Sequence, residues 1–261
     1  MLRVMSEEDP YSSPLHYDLE YRDKTEDIAW YVSLARSLGG PVLELGCGNG
    51  RITLEIARAG VEVHGIDNHP KMLQDLERKL RAAPEEVRLR VRYDRGDFLK
   101  LRGPARHPLV ILPFNTIHHC HHHRDVLRLL SGVRSCLRPK GLFALDMYRP
   151  YPELYQRDPE ERYCECDFTH PHTGAQIHSW EQSWYDPETQ IHHVKYVYVN
   201  EDGTRHEVNL PLRVFYPKEF EALIDVGGFH VVAEYGDFHN GQVGPNSAKW
   251  VLVLLPRPAR R

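Results

Sequence analysis

The sequence lacks the features that would place the chain in a membrane or outside the cell. In its 261 residues no apolar run approaches the ~20 residues that a membrane-spanning helix needs. The first thirteen residues, MLRVMSEEDPYSS, have no apolar core of the kind a signal peptide carries. The five cysteines are odd in number and follow no regular framework, which argues against a disulfide scaffold. We therefore expect a cytoplasmic protein without a membrane partner.

A strong positive charge, internal repeats and low-complexity tracts are also missing. The net charge is −4 with neutral histidines, so nothing indicates an overall basic surface for nucleic acid. Hydrophobic residues make up 41% and charged residues 27%, as in an ordinary globular protein. The length suits one large domain, or one domain with an insertion. Histidine is the exception in composition, because the chain has seventeen, several of them clustered.

The most informative stretch runs from Pro41 to Asp67. The apolar run Val42–Leu45 enters the glycine-dense turn Gly46–Gly50, an amphipathic segment follows, and a second apolar run ends at Asp67. This order of strand, turn, helix and strand predicts a βαβ unit with a nucleotide-type site at its carboxyl edge. Glycines allow a ligand to approach the main chain closely. A carboxylate at Asp67 can accept hydrogen bonds from both hydroxyls of a ribose.

Two details indicate which nucleotide binds. Arg51 follows the third glycine of G-x-G-x-G, so the G-x-G-x-x-G dinucleotide pattern is not met. Glu44 precedes the first glycine by two residues, and its carboxylate is a poor neighbour for a pyrophosphate but suits a ligand with an ammonium group. The sequence here resembles the class I SAM-dependent methyltransferases, whose first motif is E/D-x-G-x-G-x-G and whose second strand ends in an acid. The resemblance implies that the cofactor is S-adenosyl-L-methionine (SAM).

The resemblance also implies which residues contact SAM. Asp97 matches the acid that accepts from the adenine amino group, and Phe98 would lie beside the ring. Met72 lies in the first turn after the second acid, which also lines the adenosine site, although its spacing is equally that of a core residue. Tyrosines of an N-terminal segment often fold over the cofactor. The full set of predicted cofactor contacts is Tyr17, Tyr21, Glu44, Gly46, Cys47, Gly48, Gly50, Asp67, Asn68, Met72, Asp97, Phe98 and Phe114.

Hydrophobic periodicity predicts the remaining elements. Helices are expected from Leu15 to Leu38, over 71–83, over 126–137 and from Pro217 to Val226. After the first two strands, core strands are expected at Val87–Tyr93, His107–Pro113, Leu142–Asp146, Phe229–Tyr235 and Trp250–Leu255. Between the fifth and sixth of these seven strands, β-rich segments with good turn signals are expected at Tyr163–Phe168, Gln176–Tyr185, Ile191–Val199 and Arg205–Phe215.

We therefore predict an α/β fold: a Rossmann-like, doubly wound seven-stranded sheet with an antiparallel β insertion after strand 5. Residues 1–146 would form the SAM-binding core with an N-terminal helical cap. Residues 147–216 would form an inserted acceptor lid, and residues 217–261 would add the last helix and strands of the core sheet. The sequence leaves the oligomeric state open, with a homodimer as one option.

A histidine pair follows the fourth strand, where open α/β sheets place chemistry. Residues 114–120, FNTIHHC, resemble the F-S-S-I-G-H-L-like segment of small-molecule N-methyltransferases, whose histidine faces the acceptor. His118 replaces the glycine of that pattern, so either His118 or His119 is the candidate that points inward. A base helps only where the acceptor must lose a proton.

Metal binding is the alternative use of the clustered histidines. The run HHCHHH at 118–123 and the set Cys164, Cys166, His170 and His172 both invite it, but neither has the spacing of a zinc finger. Methyl transfer from SAM needs no metal. We therefore predict no functional metal and interpret these histidines as solvated or pocket-lining.

The acceptor is the least determined part of the prediction. Candidates for contacting it are Tyr148, Arg149, Trp180 and Arg213, although the aromatics equally suit a sheet core and the arginines surface ion pairs. We expect direct methyl transfer to nitrogen or oxygen of a small molecule. Three alternatives stay open: RNA or DNA methylation, which the acidic balance and the absence of an N-P-P-Y-like motif disfavour; a non-catalytic SAM-binding protein; and an NAD enzyme.

Overall fold

The structure is a computed structural model, and it describes residues 11, 13–104, 106–169 and 173–258. The helices are α1 (Pro14–Glu20), α2 (Glu26–Leu38), α3 (Thr53–Arg58), α4 (Pro70–Arg81), α5 (Glu85–Arg88), α6 (His123–Cys136) and α7 (Pro217–Val226). The strands are β1 (Val42–Leu45), β2 (Val63–Asp67), β3 (Val91–Arg95), β4 (His107–Leu112), β5 (Leu137–Tyr148), β6 (Tyr163–Thr169), β7 (Gln176–Asp186), β8 (Ile191–Asn200), β9 (Arg205–Arg213), β10 (Phe229–Tyr235) and β11 (Lys249–Pro256). Three short 3₁₀ helices span Phe98–Lys100, Thr116–His119 and Pro152–Gln156.

Seven strands form one mixed sheet in the order β10-β11-β5-β4-β1-β2-β3. Strands β3, β2, β1, β4 and β5 run parallel, whereas β11 pairs antiparallel with both β5 and β10. The order reverses at β1 and β4, which is where open α/β sheets bind their ligands. The predicted fold class, including the antiparallel insertion after β5, is confirmed.

Alternating side chains of the central strands pack into two hydrophobic cores, one on each face of the sheet. On β4, Val110 and Leu112 belong to the apolar cluster that includes α6 and α7, whereas Leu109 and Ile111 belong to the cluster that includes α2, α3 and α4. All four side chains are fully buried. Helices therefore cover both faces of the parallel sheet, which explains why its strands are continuously apolar.

The chain divides into two compact units. One contains residues 21–149 and 215–261, and therefore the whole seven-stranded sheet. The other contains residues 1–20 and 150–214, with helix α1 and the antiparallel sheet β6-β7-β8-β9. The prediction of a lid over residues 147–216 that contacts the acceptor stays a prediction.

Within the smaller unit, α1 packs on the antiparallel sheet through polar and aromatic contacts. The Tyr198 hydroxyl donates to Glu20 at 2.6 Å, and the His16 ring stacks on Tyr198 with centroids 4.6 Å apart. Ile177, Tyr198 and Val208 form a small buried cluster on this sheet. Aromatic residues here are part of a core, as strand composition favours.

Two secondary-structure expectations are wrong. The helix predicted from Leu15 to Leu38 is two helices, because the charged segment 22–25 is exposed and Glu26 and Asp27 form a new acidic first turn that complements the helix dipole. The strand predicted at Val87–Tyr93 begins only at Val91. Residues 85–88 form α5 after Pro84, and its acidic first turn again favours a helix start.

Among the described residues, none of the helices combines the length and the apolarity that crossing a bilayer would require.

Candidate active site

The glycine-rich loop is tied to the end of the neighbouring strand β2. The backbone N–H groups of Gly46 and Cys47 both donate to the Ile66 carbonyl oxygen, at 2.8 and 3.1 Å. The Cys47 side chain is buried, and a Cβ added at Gly65 would lie 2.7 Å from its Sγ. Burial raises the pKa of this thiol well above its ordinary value. Cys47 therefore does not present a reactive sulfur, and its contact with a cofactor stays a prediction.

Asp67, at the end of β2, accepts hydrogen bonds from two separate loops. Its Oδ2 accepts from the Gly48 N–H and its Oδ1 from the His69 N–H, both at 2.8 Å. Burial raises the pKa of Asp67, while these backbone donors act in the opposite direction. A carboxylate offers about four acceptor positions, so capacity remains for ligand hydroxyls. The two loops orient this carboxylate at the carboxyl edge of the sheet.

Glu44 is a buried acid at the start of the same loop. Only 2% of it is exposed, and its Oε2 accepts a 2.6 Å hydrogen bond from the Thr53 hydroxyl. Burial raises the pKa of Glu44 to about 8; the Thr53 bond and Arg51 lower it, whereas Asp67 raises it further. A carboxyl group in this setting holds its proton near neutral pH and ionises readily only beside an added cation.

The loop glycines permit close packing against helix α4. Gly48 has a φ of 54°, and a Cβ there would lie 3.2 Å from Met72 Cε. Gly50 has a φ of 85°, and a Cβ there would lie 2.4 Å from Leu76 Cδ1. Met72 is 2% exposed. Met72 is therefore a core residue that packs against the glycine loop, and its contact with the adenosine part of SAM stays a prediction.

Helix α2, the glycine loop and the end of β4 are joined by one arginine. The Arg51 guanidinium binds the buried Asp27 carboxylate with two nitrogens, and its Cζ lies 4.2 Å from the Phe114 ring centroid. The Tyr21 ring meets Phe114 edge-on with centroids 4.8 Å apart. Two of the predicted cofactor contacts, Tyr21 and Phe114, are thus brought together, while Tyr17 belongs to helix α1 of the smaller unit.

The two histidines after β4 differ in burial and in bonding. His118 is fully buried, its Nε2 accepts a 3.2 Å hydrogen bond from the Tyr148 N–H, and its ring stacks on Tyr148 with centroids 3.8 Å apart. Because that nitrogen is an acceptor, His118 carries its proton on Nδ1 if it is neutral. His119 is half-buried at the end of the 3₁₀ helix. Sequence alone left this pair unresolved; burial distinguishes its members.

Asp97 and Phe98 follow β3 at the same edge of the sheet. Asp97 caps the 3₁₀ helix, with its Oδ1 accepting from the Leu99 N–H at 2.9 Å, and both residues are half-buried. Asn68 is exposed next to Asp67, and its carbonyl oxygen accepts from Arg95 at 3.2 Å. Glu44 therefore lies near the carboxyl end of β1 and Asp67 ends β2, while Asp97 and Phe114 follow the ends of β3 and β4.

The chain is similar in sequence and in fold to known methyltransferases. Residues 42–141 match a protein family described as a methyltransferase domain. The CcbJ methyltransferase of Streptomyces caelestis is 27% identical, with a TM-score of 0.74 over 90% of this chain and 96% of that one. The chain therefore contains a methyltransferase domain over residues 42–141, and its similarities support a class I SAM-dependent methyltransferase. The family match begins at Val42, so it includes the Glu44 loop, Asp67 and the histidine pair.

Two further relatives of this methyltransferase indicate the range of the similarity. A cypemycin N-terminal methyltransferase of Streptomyces is 34% identical over 125 residues, which are 47% of this chain and 48% of the relative. An amino pentose methyltransferase of Micromonospora echinaspora, solved with SAM bound, is 17% identical with a TM-score of 0.68 over 96% of this chain and all of that one. The cofactor of this enzyme is SAM.

The residues predicted to contact the acceptor all make contacts within the protein. Tyr148 stacks on His118, and the guanidinium of the next residue, Arg149, donates to the Gly244 carbonyl. In the smaller unit, Trp180 is 6% exposed, with Arg162 Cζ 4.0 Å from its ring centroid. Arg213 is buried and donates to the Val214 carbonyl. Contact of these residues with an acceptor stays a prediction.

The clusters considered as metal sites do not converge within the described part of the chain. Among residues 11, 13–104, 106–169 and 173–258, no three or more His, Cys, Asp or Glu side chains form a group suited to a metal ion. Cys164 and Cys166 are exposed on β6, and Cys166 Sγ lies 3.1 Å from Ser179 Oγ. His170 and His172 lie outside the described residues.

Sequence reasoning missed one group at this edge. Asp146 in β5, Tyr31 in α2 and Lys249 in β11 lie near the Phe114–Asn115 backbone, although they are more than 100 residues apart along the chain. The available signal was an acid closing the apolar run FALD, which is costly to bury without partners.

Proposed function

We propose that Glu44, Asp67 and the glycine loop hold SAM at the carboxyl edge of the sheet. The observation that carries the proposal is the buried Glu44 carboxyl beside Asp67, with no lysine or arginine nitrogen bonded to Glu44 among the described contacts. An ammonium group fits such a carboxylate, because a buried charge requires a partner. A phosphate would be repelled by either acid in its ionised form. SAM combines an ammonium, a ribose and no phosphate.

Each part of SAM has a fitting partner in this set of residues. Glu44 would bind the ammonium group and Asp67 the ribose hydroxyls. Asp97 and Phe98 would contact adenine. Tyr21 and Phe114 would add an aromatic surface for the cofactor at the same edge of the sheet. When bound, SAM supplies a methyl group already activated by its sulfonium, so the protein mainly binds, orients and excludes water.

We infer that the acceptor is a small molecule with a nucleophilic nitrogen or oxygen. Support comes from relatives named as a cypemycin N-terminal methyltransferase and an amino pentose methyltransferase. The net charge of −4 is not suited to a nucleic-acid backbone. Where the acceptor must lose a proton, His119 is the proposed base, because it is the half-buried member of the pair. His118 would instead position Tyr148 and the end of β5.

The experiment is transfer of a labelled methyl group from SAM to panels of small amines, phenols, tRNA and DNA. Label on a small molecule supports the proposal, label on nucleic acid contradicts it, and SAM binding without any transfer favours a non-catalytic binder. With an acceptor in hand, His119→Ala is expected to lower kcat about a hundredfold while leaving SAM affinity unchanged. His118→Ala is its matched control, and we expect it to lower thermal stability first. An unchanged kcat in His119→Ala would exclude the base.

A further inference from the structure

A single buried carboxylate organises the backbone that follows β4. Asp146 is 1% exposed within β5. Its Oδ1 accepts from the Phe114 N–H at 2.7 Å and from the Tyr31 hydroxyl at 2.8 Å, and its Oδ2 accepts from the Asn115 N–H at 3.1 Å. One side chain therefore satisfies two consecutive backbone amides and a buried phenol. Hydrogen bonds to an ionised acceptor are the strong ones.

The backbone held in this way is strained. Phe114 and Asn115 both have a φ of 60°, in the left-handed region that non-glycine residues rarely enter. Asparagine tolerates this conformation, but a phenylalanine next to it does not do so readily. Two such residues in succession persist only when surrounding contacts hold them. We call residues Phe114 and Asn115 the left-handed corner.

The corner determines where several site residues lie. Phe114 presents its ring to Arg51 and Tyr21. The Asn115 carbonyl accepts from the His118 N–H at 3.0 Å, so the corner also starts the 3₁₀ helix that carries His119. Lys249 Nζ donates to Asn115 Oδ1 at 3.1 Å and lies 3.9 Å from Asp146 Oδ2. Asp146 and Lys249 therefore both contact the corner that carries Phe114, the proposed cofactor contact.

We propose that Asp146 is a positioning residue for methyl transfer: its carboxylate holds the left-handed corner, and through it Phe114 and His119, in the conformation that receives SAM. The proposal rests on the proposed function, because it takes Phe114 as a cofactor contact. It assigns Asp146 no contact with SAM and no proton transfer. A consequence is that SAM affinity should depend less on Asp146 when the left-handed backbone conformation of the corner costs less free energy.

A glycine at the corner tests that consequence. Asp146→Asn replaces a carboxylate oxygen by an NH₂ group that cannot accept from a backbone N–H, and we expect SAM affinity to fall at least about tenfold. Asn115→Gly removes the left-handed cost at one of the two corner residues, so Asp146→Asn should lower SAM affinity less in the Asn115→Gly background than in the wild type. Lys140, with a φ of 64° at a distant turn, supplies the control: Lys140→Gly should rescue nothing.

Amide hydrogen exchange of residues 114–120 in the ligand-free protein gives an independent readout. Exchange should be faster in Asp146→Asn than in the wild type and return toward the wild-type rate in the double variant. If Asp146→Asn does not fold, Asn115→Ala and Asn115→Gly replace it, since both lose the Lys249 bond and differ only in a Cβ. Faster exchange and weaker SAM binding are then expected in Asn115→Ala.

Two results would overturn the proposal. Wild-type SAM affinity and exchange rates in Asp146→Asn would show that the corner does not need the carboxylate. A loss that is equally large in the Asn115→Gly background would make Asp146 a buried structural group without a specific role at the corner. Failure of the proposed function looks different: the wild type itself would not bind SAM, while the exchange data would still report on the corner.

Discussion

SAM binding is expected to release a proton, with Glu44, the proposed contact of the ammonium group, as its source. Burial raises the pKa of its carboxyl to about 8 in the ligand-free protein, so at pH 7 about 0.9 of the molecules hold the proton. An ammonium group placed beside this carboxyl favours the charged form. Binding at pH 7 is therefore expected to release close to one proton.

The expected pH dependence follows from the same pKa. SAM affinity should rise about eightfold from pH 6 to pH 7 and about two- to threefold from pH 7 to pH 8, as ionised Glu44 becomes available while the ligand's α-amino group begins to lose its proton. Above about pH 8 the affinity should level and then fall, because the ligand's own α-amino group loses its proton. A maximum near pH 8 results.

Isothermal titration calorimetry in two buffers with different ionisation heats measures the released proton directly. Glu44→Gln is the matched variant, since glutamine resembles the protonated acid in shape. It should bind SAM more weakly, release no proton from this site and show a flat affinity between pH 6 and pH 7.5. Proton release that is absent in the wild type, or unchanged in Glu44→Gln, would refute the reasoning.

The same group has a predictable effect on folding. Its folded pKa is raised, so the folded protein retains a proton that the unfolded chain loses above its ordinary pKa of 4.5. The free energy of unfolding should therefore fall as pH rises between about 4.5 and 8, by at most about 5 kcal/mol from this carboxyl. Glu44→Gln should remove that slope and make the ligand-free protein more stable than the wild type above pH 8.

Two further predictions concern the packing around the loop. Gly50→Ala should lower the free energy of unfolding by about 3 kcal/mol, measured by chemical denaturation, because its Cβ would lie 2.4 Å from a leucine methyl. Gly60, with a φ of 88° and open space around it, is the control, and Gly60→Ala should cost only about 1 kcal/mol. Equal costs would contradict the packing argument. Arg51→Ala should cost about 3 kcal/mol by leaving Asp27 buried and unpaired, and Asp27→Asn in the same chain should recover part of it; additive losses would contradict the pairing.

Much of this fold follows from local pattern. The βαβ unit from Pro41 to Asp67 was predictable because an unbroken apolar run, a glycine turn and a terminal acid leave few other arrangements. Pattern failed at Val87–Tyr93, where Val87, Leu89 and Val91 alternate as in a strand. Pro84 and two glutamates instead start a helical turn there, and Leu89 is 77% exposed.

The positions of the candidate site residues were predictable only where each residue lies at the end of its own strand. Glu44 and Asp67 need nothing beyond the β1–β2 register to lie at one edge. The Asp146 network is different, because it joins α2, β4, β5 and β11, and no local periodicity encodes such a meeting. His118 and His119 show the same limit. They are neighbours in sequence, but His118 is buried and stacks on Tyr148 whereas His119 is half-buried, and local sequence does not encode that packing.

A calorimetric titration with SAM, with NAD⁺ as the competing ligand and Asp67→Ala as the variant, is the most direct test of the cofactor and of the proposed role of Asp67. We expect saturable one-site binding of SAM, no heat from NAD⁺, and at least about a tenfold loss of SAM affinity when the acid at the end of β2 is removed. Binding of NAD⁺ in place of SAM, or SAM affinity that does not change in Asp67→Ala, would contradict this expectation.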